Sequence, residues 1–227
     1  MVARTEPSRL LALIKHFEYG LAGKASFEKK IPTDPNNEAW PWYTYPAIEF
    51  LSQFDFSACS MFEYGSGNSS FFWAKRARKI LSVESDAAWY SKIESAKLEN
   101  QEIMLKTSLK DYVESIHLKD EKYDVVIVDA DYRFNCAKEA VQRVNPGGII
   151  ILDNSDWYPG VISYLVENRF SQIDFIGWGP VNSYAWSTSL FFMEKIQIPR
   201  RTRAIEVIGG ISKELQKDDE FLRTGMK

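Results

Sequence analysis

The chain has 227 residues, of which 45% are hydrophobic and 26% are charged, and its formal net charge is −3. A chain of this length can form one large domain with a sizeable core, and the composition is that of a soluble globular protein. The small negative charge provides no basic field that would gather nucleic acid, so we expect no nucleic-acid partner.

The cysteines and the N-terminus indicate a compartment. Cys59 and Cys136 are the two cysteines, and they form neither a disulfide framework nor a zinc spacing. Charged residues interrupt the apolar positions of the first twenty residues, and no apolar run approaches the length of a membrane helix. We therefore expect a cytoplasmic protein with no membrane partner.

Residues 1–45 are predicted to form an N-terminal helix followed by an aromatic lid segment. Ser8 can cap a helix whose apolar residues recur at helical spacing. Residues 31–46 hold four prolines and a cluster of Trp and Tyr residues, which is typical of a loop. The last of these prolines can open a helix, which we predict over residues 47–54.

Strand and helix patterns then alternate along the chain. The predicted strands cover residues 60–63, 80–84, 102–105, 123–129 and 149–153. The predicted helices between and after them cover residues 71–77, 87–98, 109–116, 135–144 and 157–168. Such alternation is typical of βαβ units, whose parallel sheet is covered by helices on both faces.

The final pair of strands breaks this alternation. Residues 172–177 and 187–194 read as strands joined without a helical pattern, which predicts an antiparallel hairpin at the sheet edge. The predicted fold class is therefore α/β: a doubly wound, mostly parallel seven-stranded sheet with an antiparallel C-terminal hairpin and helices on both faces. This domain spans residues 46–196, and residues 197–227 form a polar C-terminal tail.

A glycine-containing turn follows the first strand. The run Gly65-Ser66-Gly67-Asn68-Ser69-Ser70 lacks the third glycine of the dinucleotide-binding fingerprint, but Glu63 lies two residues before its first glycine. Read alone, the turn is equally compatible with an ordinary bend between a strand and a helix. The pattern resembles motif I of class I S-adenosylmethionine (AdoMet) methyltransferases. That resemblance implies that the acid anchors the methionyl end of AdoMet above these backbone residues: Gly65, Ser66, Gly67, Asn68 and Ser69.

Glu84 closes the second strand, 19 positions after Gly65. A carboxylate at this place can accept both ribose hydroxyls of a nucleoside cofactor. The alternative is a solvated acid that caps the following helix. The adenine would lie beyond the third strand, near Ser108; many methyltransferases of this class have an acid there, which this chain lacks.

Two further strands end in acidic residues that converge on the same crevice. Asp129, Asp153 and Asn154 would supply three oxygen ligands to one divalent cation. The run from VDAD to LDNSDW resembles the corresponding stretch of cation-dependent O-methyltransferases, in which the matching residues hold Mg²⁺. The alternatives are that Asp129 orients the methionyl amine and that the other two residues cap a helix.

The same stretch departs from that family at the position of its general base. The family has a lysine three residues after the first metal-binding aspartate, where this chain has Tyr132 followed by Arg133. Neither side chain is a good base near neutral pH, so no base is identified. The candidate catalytic residues are Asp129, Asp131 and Tyr132.

The predicted function is O-methylation of a small molecule by AdoMet. The resemblance to this family implies that two aromatic segments, residues 40–45 and 178–186, lie over the catalytic mouth, where they would suit a flat or sugar-like acceptor. Alternatively, they form a packed edge hairpin and a hydrophobic plug. A non-catalytic AdoMet-binding or interaction module and an NAD-dependent oxidoreductase are the competing functions. A homodimer is left open, and the expected cofactors are AdoMet and, through the metal resemblance, Mg²⁺.

Overall fold

A computed structural model describes residues 6–193 and 195–201, with side chains from residue 10 onward. Its centre is a seven-stranded sheet in the order β3-β2-β1-β4-β5-β7-β6. The strands are β1 Ser60–Tyr64, β2 Lys79–Glu84, β3 Gln101–Leu105, β4 Tyr123–Val128, β5 Val144–Asp153, β6 Ser171–Gly177 and β7 Trp186–Phe192. The first five strands are parallel to one another, whereas β7 is antiparallel to both β5 and β6. The predicted fold class is confirmed.

Helices lie on both faces of this sheet. They are α1 Glu6–Lys15, α2 Gly23–Lys29, α3 Tyr45–Leu51, α4 Asn68–Ala74, α5 Ala87–Glu94, α6 Leu109–Val113, α7 Arg133–Arg143 and α8 Pro159–Glu167. Short π- or 3₁₀-helical turns occur at His16–Gly20, Glu114–His117 and Ser155–Trp157. Two core clusters of buried side chains fill the layers between the sheet and the helices.

The central strand β4 explains why the sheet is covered on both sides. Val125 and Ile127 pack into one core cluster, and Val126 and Val128 pack into the other. All four are fully buried. Burying each such side chain contributes about 1.5–3 kcal/mol, so a strand with four successive apolar residues stabilises the fold only between two helix layers.

The N-terminal part differs from expectation in three places. Helix α1 begins at Glu6, so Ser8 lies inside its first turn and is not its cap. Helix α2 was not predicted; it is a short element whose sequence, GKASFEK, has a single large apolar residue and therefore no apolar stripe. Helix α3 begins at Tyr45, two residues before the predicted start, with Pro46 in its first turn. Proline is tolerated there because the first helical N–H groups have no partner within the helix.

The chain after β7 returns along the body of the domain. Gln197 N–H donates to Gly147 O at 2.9 Å, and Asp55 N–H donates to Pro199 O at 2.7 Å. The remainder of the predicted tail, residues 202–227, lies outside the described residues. No helix within the described ranges is long and apolar enough to span a bilayer.

Candidate functional site

The turn after β1 brings the backbone close to the end of β4. Gly65 has a φ of 101°, and a Cβ at this position would lie 2.9 Å from the Ala130 Cβ and 3.0 Å from the Asp129 carbonyl oxygen. Only glycine combines this left-handed backbone with so close an approach. The first glycine of the predicted motif is therefore required by geometry.

The rest of the turn opens helix α4. Gly67 N–H donates to Ser70 Oγ at 2.9 Å, and Ser70 N–H donates to the Gly67 carbonyl at 3.1 Å. Asn68 Nδ2 donates to the Pro32 carbonyl at 2.7 Å, which ties the N-terminal segment to the turn. The residues of the turn that line the neighbouring cavity are Ser66, Gly67, Asn68 and Ser69.

Glu63 lies beneath this turn and does not line the cavity. Ser69 Oγ donates to its Oε1, while the hydroxyls of Ser70 and Ser82 donate to its Oε2. Burial raises the pKa of Glu63 to about 7, the three hydroxyls oppose that rise, and the negative charge of Asp129 adds to it. In this arrangement the carboxyl supports the turn from below, and its predicted contact with a methionyl group stays a prediction.

Glu84 lies at the end of β2, beside the turn. Its Oε1 accepts the N–H groups of Ser85 at 2.8 Å and Asp86 at 3.0 Å, and its Oε2 accepts the Ser66 hydroxyl at 2.7 Å. The cap of helix α5 is Asp86, which accepts the N–H of Trp89. Glu84 therefore binds the backbone just before α5, as its alternative reading described, while the N-cap itself is Asp86.

Trp89 packs against the turn and was not among the predicted site residues. Its indole Nε1 donates to the Ser66 carbonyl at 2.6 Å, and its ring lies 4.0 Å from a Cβ built on Gly67. The Lys92 ammonium lies 4.3 Å from the centre of the same ring. The one available signal was an aromatic residue in the first turn of the helix that follows Glu84.

Besides Glu63, five predicted site residues lie outside the cavity lining: Gly65, Glu84, Asp131, Tyr132 and Ser108. The last three have structural contacts of their own. Asp131 Oδ2 accepts the Ser85 hydroxyl at 2.9 Å, on the Glu84 side of the turn. Tyr132 has a φ of 55°, and its ring packs edge-on against Tyr112. Ser108 caps α6 by accepting an N–H at 3.1 Å. Their predicted roles in catalysis and adenine binding stay predictions.

Arg133 stands at the centre of the predicted metal site. Its Nη2 donates to Asp129 Oδ1 at 3.0 Å, and its Nη1 donates to the Asp153 carbonyl at 2.9 Å and to Asn154 Oδ1 at 3.0 Å. The guanidinium also lies over the ring of Tyr158, 4.6 Å from its centre. The guanidinium thus binds the side chains of Asp129 and Asn154, but only the main-chain carbonyl of Asp153.

The carboxylate of Asp153 accepts its hydrogen bonds from side chains of β7. Its Oδ1 accepts the Trp186 indole N–H at 3.0 Å and the Thr188 hydroxyl at 2.5 Å. Burial, reinforced by the charge of Asp129, raises the pKa of Asp153 well above its ordinary value. Burial also raises the pKa of Asp129 to about 6, against the lowering effect of Arg133.

These residues do not fit a metal ion, and the predicted Mg²⁺ site is not supported. The cation that the oxygens require is already present as Arg133, and a divalent ion placed on the same oxygens would meet a like charge at close range. Across residues 10–193 and 195–201, no group of three His, Cys, Asp or Glu side chains is positioned to hold a metal. The sequence analysis did not predict that Arg133 would bind Asp129 and Asn154, nor that the Asp153 carboxylate would bind Trp186 and Thr188.

A cavity of about 600 Å³ runs from the glycine turn across this cluster. The cavity is lined by three residues of the two predicted lid segments, Trp42, Asn182 and Tyr184, and also by Trp157. Two other residues of these segments, Tyr43 and Trp186, have side chains buried in the core. The aromatic segments are therefore partly cavity wall and partly packing.

Comparison with known proteins identifies the fold. No protein-family model and no curated protein matches the chain. Among solved structures, it is similar to a precorrin-6y C5,15-methyltransferase from Geobacter metallireducens (TM-score 0.54, 12% identity, 66% of this chain and 87% of that one). It is also similar to a candidate O-methyltransferase from Klebsiella pneumoniae (0.51, 17%, 76% and 96%) and to a precorrin 8w decarboxylase from Methanobacterium thermoautotrophicum (0.50, 13%, 73% and 97%).

Identities this low establish a common fold and leave the reaction open, since one fold hosts several activities. The strand order, with β7 inserted antiparallel between β5 and β6, and the likeness to these structures agree. The chain has the fold of the class I, Rossmann-like AdoMet-dependent methyltransferases.

Proposed function

We propose that the protein binds AdoMet and transfers its methyl group to a hydroxyl oxygen of a small molecule, without a metal ion. The observation that carries the proposal is the convergence of three features at the carboxyl ends of β1, β2 and β4. These are the glycine turn, the Glu84 carboxylate and the Asp129 carboxylate. In open α/β sheets, ligands bind in the crevice outside these strand ends.

The hydrogen-bonding capacity of Glu84 supports a ribose there. A carboxylate offers about four acceptor positions, and the described residues fill three of those on Glu84. One ribose hydroxyl can take the remaining position. The second can replace the Ser66 hydroxyl, which is free to rotate toward solvent or toward the ligand.

Asp129 is the proposed partner of the methionyl ammonium. It lines the cavity, and within the described structure its Oδ2 accepts no hydrogen bond, because Arg133 binds only Oδ1. A fixed carboxylate that faces a cationic amino group gives a charge-assisted hydrogen bond. Asp129 Oδ2 is therefore suited to bind the ammonium group of AdoMet while the ribose lies toward Glu84.

The chemistry proposed is in-line displacement at the sulfonium methyl. An acceptor oxygen attacks the methyl carbon as the bond to sulfur breaks. S-adenosylhomocysteine (AdoHcy) leaves with the electron pair of that bond, and the hydroxyl proton passes to solvent water. The protein contributes chiefly by holding the two reactants in line at short distance. The exposed rings of Trp157 and Tyr184 offer a surface on which a flat or sugar-like acceptor can stack.

Calorimetric titration tests the cofactor. We expect AdoHcy to bind and NAD not to bind. Glu84→Ala should weaken AdoHcy about 10- to 100-fold, since it removes the acceptor of two hydroxyls. Glu99→Ala, which removes an exposed acid of the same charge, should leave the affinity unchanged. Well-folded wild-type protein that binds neither AdoMet nor AdoHcy would contradict the proposal.

The acceptor requires a separate test, because a non-catalytic AdoMet-binding module would pass the first one. Release of AdoHcy from AdoMet is measured with a panel of phenols, sugars and amines. Turnover confined to hydroxyl acceptors is the expected result. Turnover of amines alone would refute O-methylation, and cofactor binding without any turnover across the panel would favour the module.

A further inference from the structure

We infer that Arg133 is a built-in cation, whose guanidinium takes the place that a divalent metal ion would occupy among Asp129, Asp153 and Asn154. The site therefore holds its cation covalently and does not recruit one from solution. This inference concerns cation binding and is independent of whether methyl transfer is the reaction.

The oxygen atoms around the guanidinium carry the argument. A carboxylate oxygen of Asp129, the main-chain carbonyl of Asp153 and the amide oxygen of Asn154 all lie 2.9–3.0 Å from its nitrogens. Carboxylate, carbonyl and amide oxygens are the ligands that Mg²⁺ and Ca²⁺ prefer. The group they surround here is a cation that is bonded to the chain.

The guanidinium is also fixed in its position. Its Nε donates to the Ala130 carbonyl at 3.1 Å, so four of its five N–H groups, counted over Nε, Nη1 and Nη2, have acceptors. The side chain is only 9% exposed and lies over the Tyr158 ring. A group with this many partners does not vacate its position for an incoming ion without leaving several of them unsatisfied.

Two consequences follow for the cavity. The acceptor need not be a vicinal diol, because there is no metal for it to chelate. Arg133 is a positioning residue: it fixes one oxygen of Asp129 and leaves the other to face the cavity. Removing the guanidinium should free an oxygen cluster of net negative charge, which is then available to a cation from solution.

Binding of Mn²⁺, followed by electron paramagnetic resonance without cofactor, tests the inference. Wild-type protein should show no stoichiometric site. Arg133→Ala should bind one Mn²⁺ per chain, at least about tenfold more tightly than wild type, because a resident like charge has been removed. That site should disappear when Asp129→Asn is added. Arg143→Ala, on the same helix but outside the cluster, should behave as wild type.

Two outcomes would overturn it. One is a single Mn²⁺ on the wild-type protein that Asp129→Asn releases, and this arm requires no arginine variant to fold. The other is Arg133→Ala that keeps a wild-type circular dichroism spectrum and still binds no more Mn²⁺ than Arg143→Ala. Neither outcome bears on AdoHcy binding, so a failure here is distinguishable from a failure of the proposed function.

Discussion

Glu63→Gln should make the stability of the protein less dependent on pH between pH 5 and pH 8. The carboxyl is buried beneath the glycine turn with three serine hydroxyls directed at it. Glutamine has the same shape and no charge. Its amide oxygen can accept from Ser70 and Ser82, and its amide nitrogen can donate to Ser69 once that hydroxyl rotates.

The magnitude follows from the pKa of Glu63, which burial raises from an ordinary 4.5 to about 7. Between these two values the folded protein binds more protons than the unfolded chain, so stability falls as pH rises through the window. At about 1.4 kcal/mol per pKa unit, ionising Glu63 costs the folded state about 3 kcal/mol, most of it between pH 5 and pH 8.

Urea unfolding at pH 5 and pH 8 measures this cost. Other groups also titrate, so the decisive quantity is the change in unfolding free energy of wild type between the two pH values, minus that of Glu63→Gln. We expect wild type to lose about 2–3 kcal/mol more than the variant on going to pH 8. Equal losses in the two proteins would refute the assignment of a buried, proton-binding carboxyl.

Predictions at Gly179, Gly160 and Asn100 use the same unfolding assay. A Cβ on Gly179 would lie 2.4 Å from both the Trp186 ring and the Tyr43 carbonyl, so Gly179→Ala should cost about 1–3 kcal/mol. Gly160→Ala, which meets nothing within 4 Å, should be neutral or stabilising; equal effects would contradict the packing. Asn100→Ala should cost about 1–3 kcal/mol, because Asn100 Nδ2 bonds main-chain carbonyls at the end of α4; no loss would show that they find other partners.

The fold could be predicted from the sequence because its strands are apolar, β-branched runs with helices between them. The buried strands β4 and β5 lie where those runs are, and Gly65 was recognisable because its left-handed backbone demands glycine. Helix α2 escaped prediction since seven residues with one large apolar side chain carry no periodic signal. Such short elements depend on tertiary packing.

The acidic residues of the site could be recognised in the sequence, but the cation that pairs with them, Arg133, could not. The parallel strands β4 and β5 are paired and end side by side, so Asp129 and Asp153 could be expected near each other. Arg133 reaches this cluster because it is the first residue of α7 and because its guanidinium packs over Tyr158. Neither feature can be read from the spacing of residues in the sequence. Ser82 is 19 residues from Glu63 and reaches it only because β1 and β2 are paired.

The most direct test of the central claim is a crystal structure of the protein grown with AdoHcy. The account predicts the ligand in the crevice between Gly65, Glu84 and Asp129. Its ribose hydroxyls should lie on the Glu84 carboxylate, its amino group near Asp129, and the Arg133 guanidinium should remain in place. AdoHcy bound elsewhere, or a ribose that makes no contact with Glu84, would contradict it.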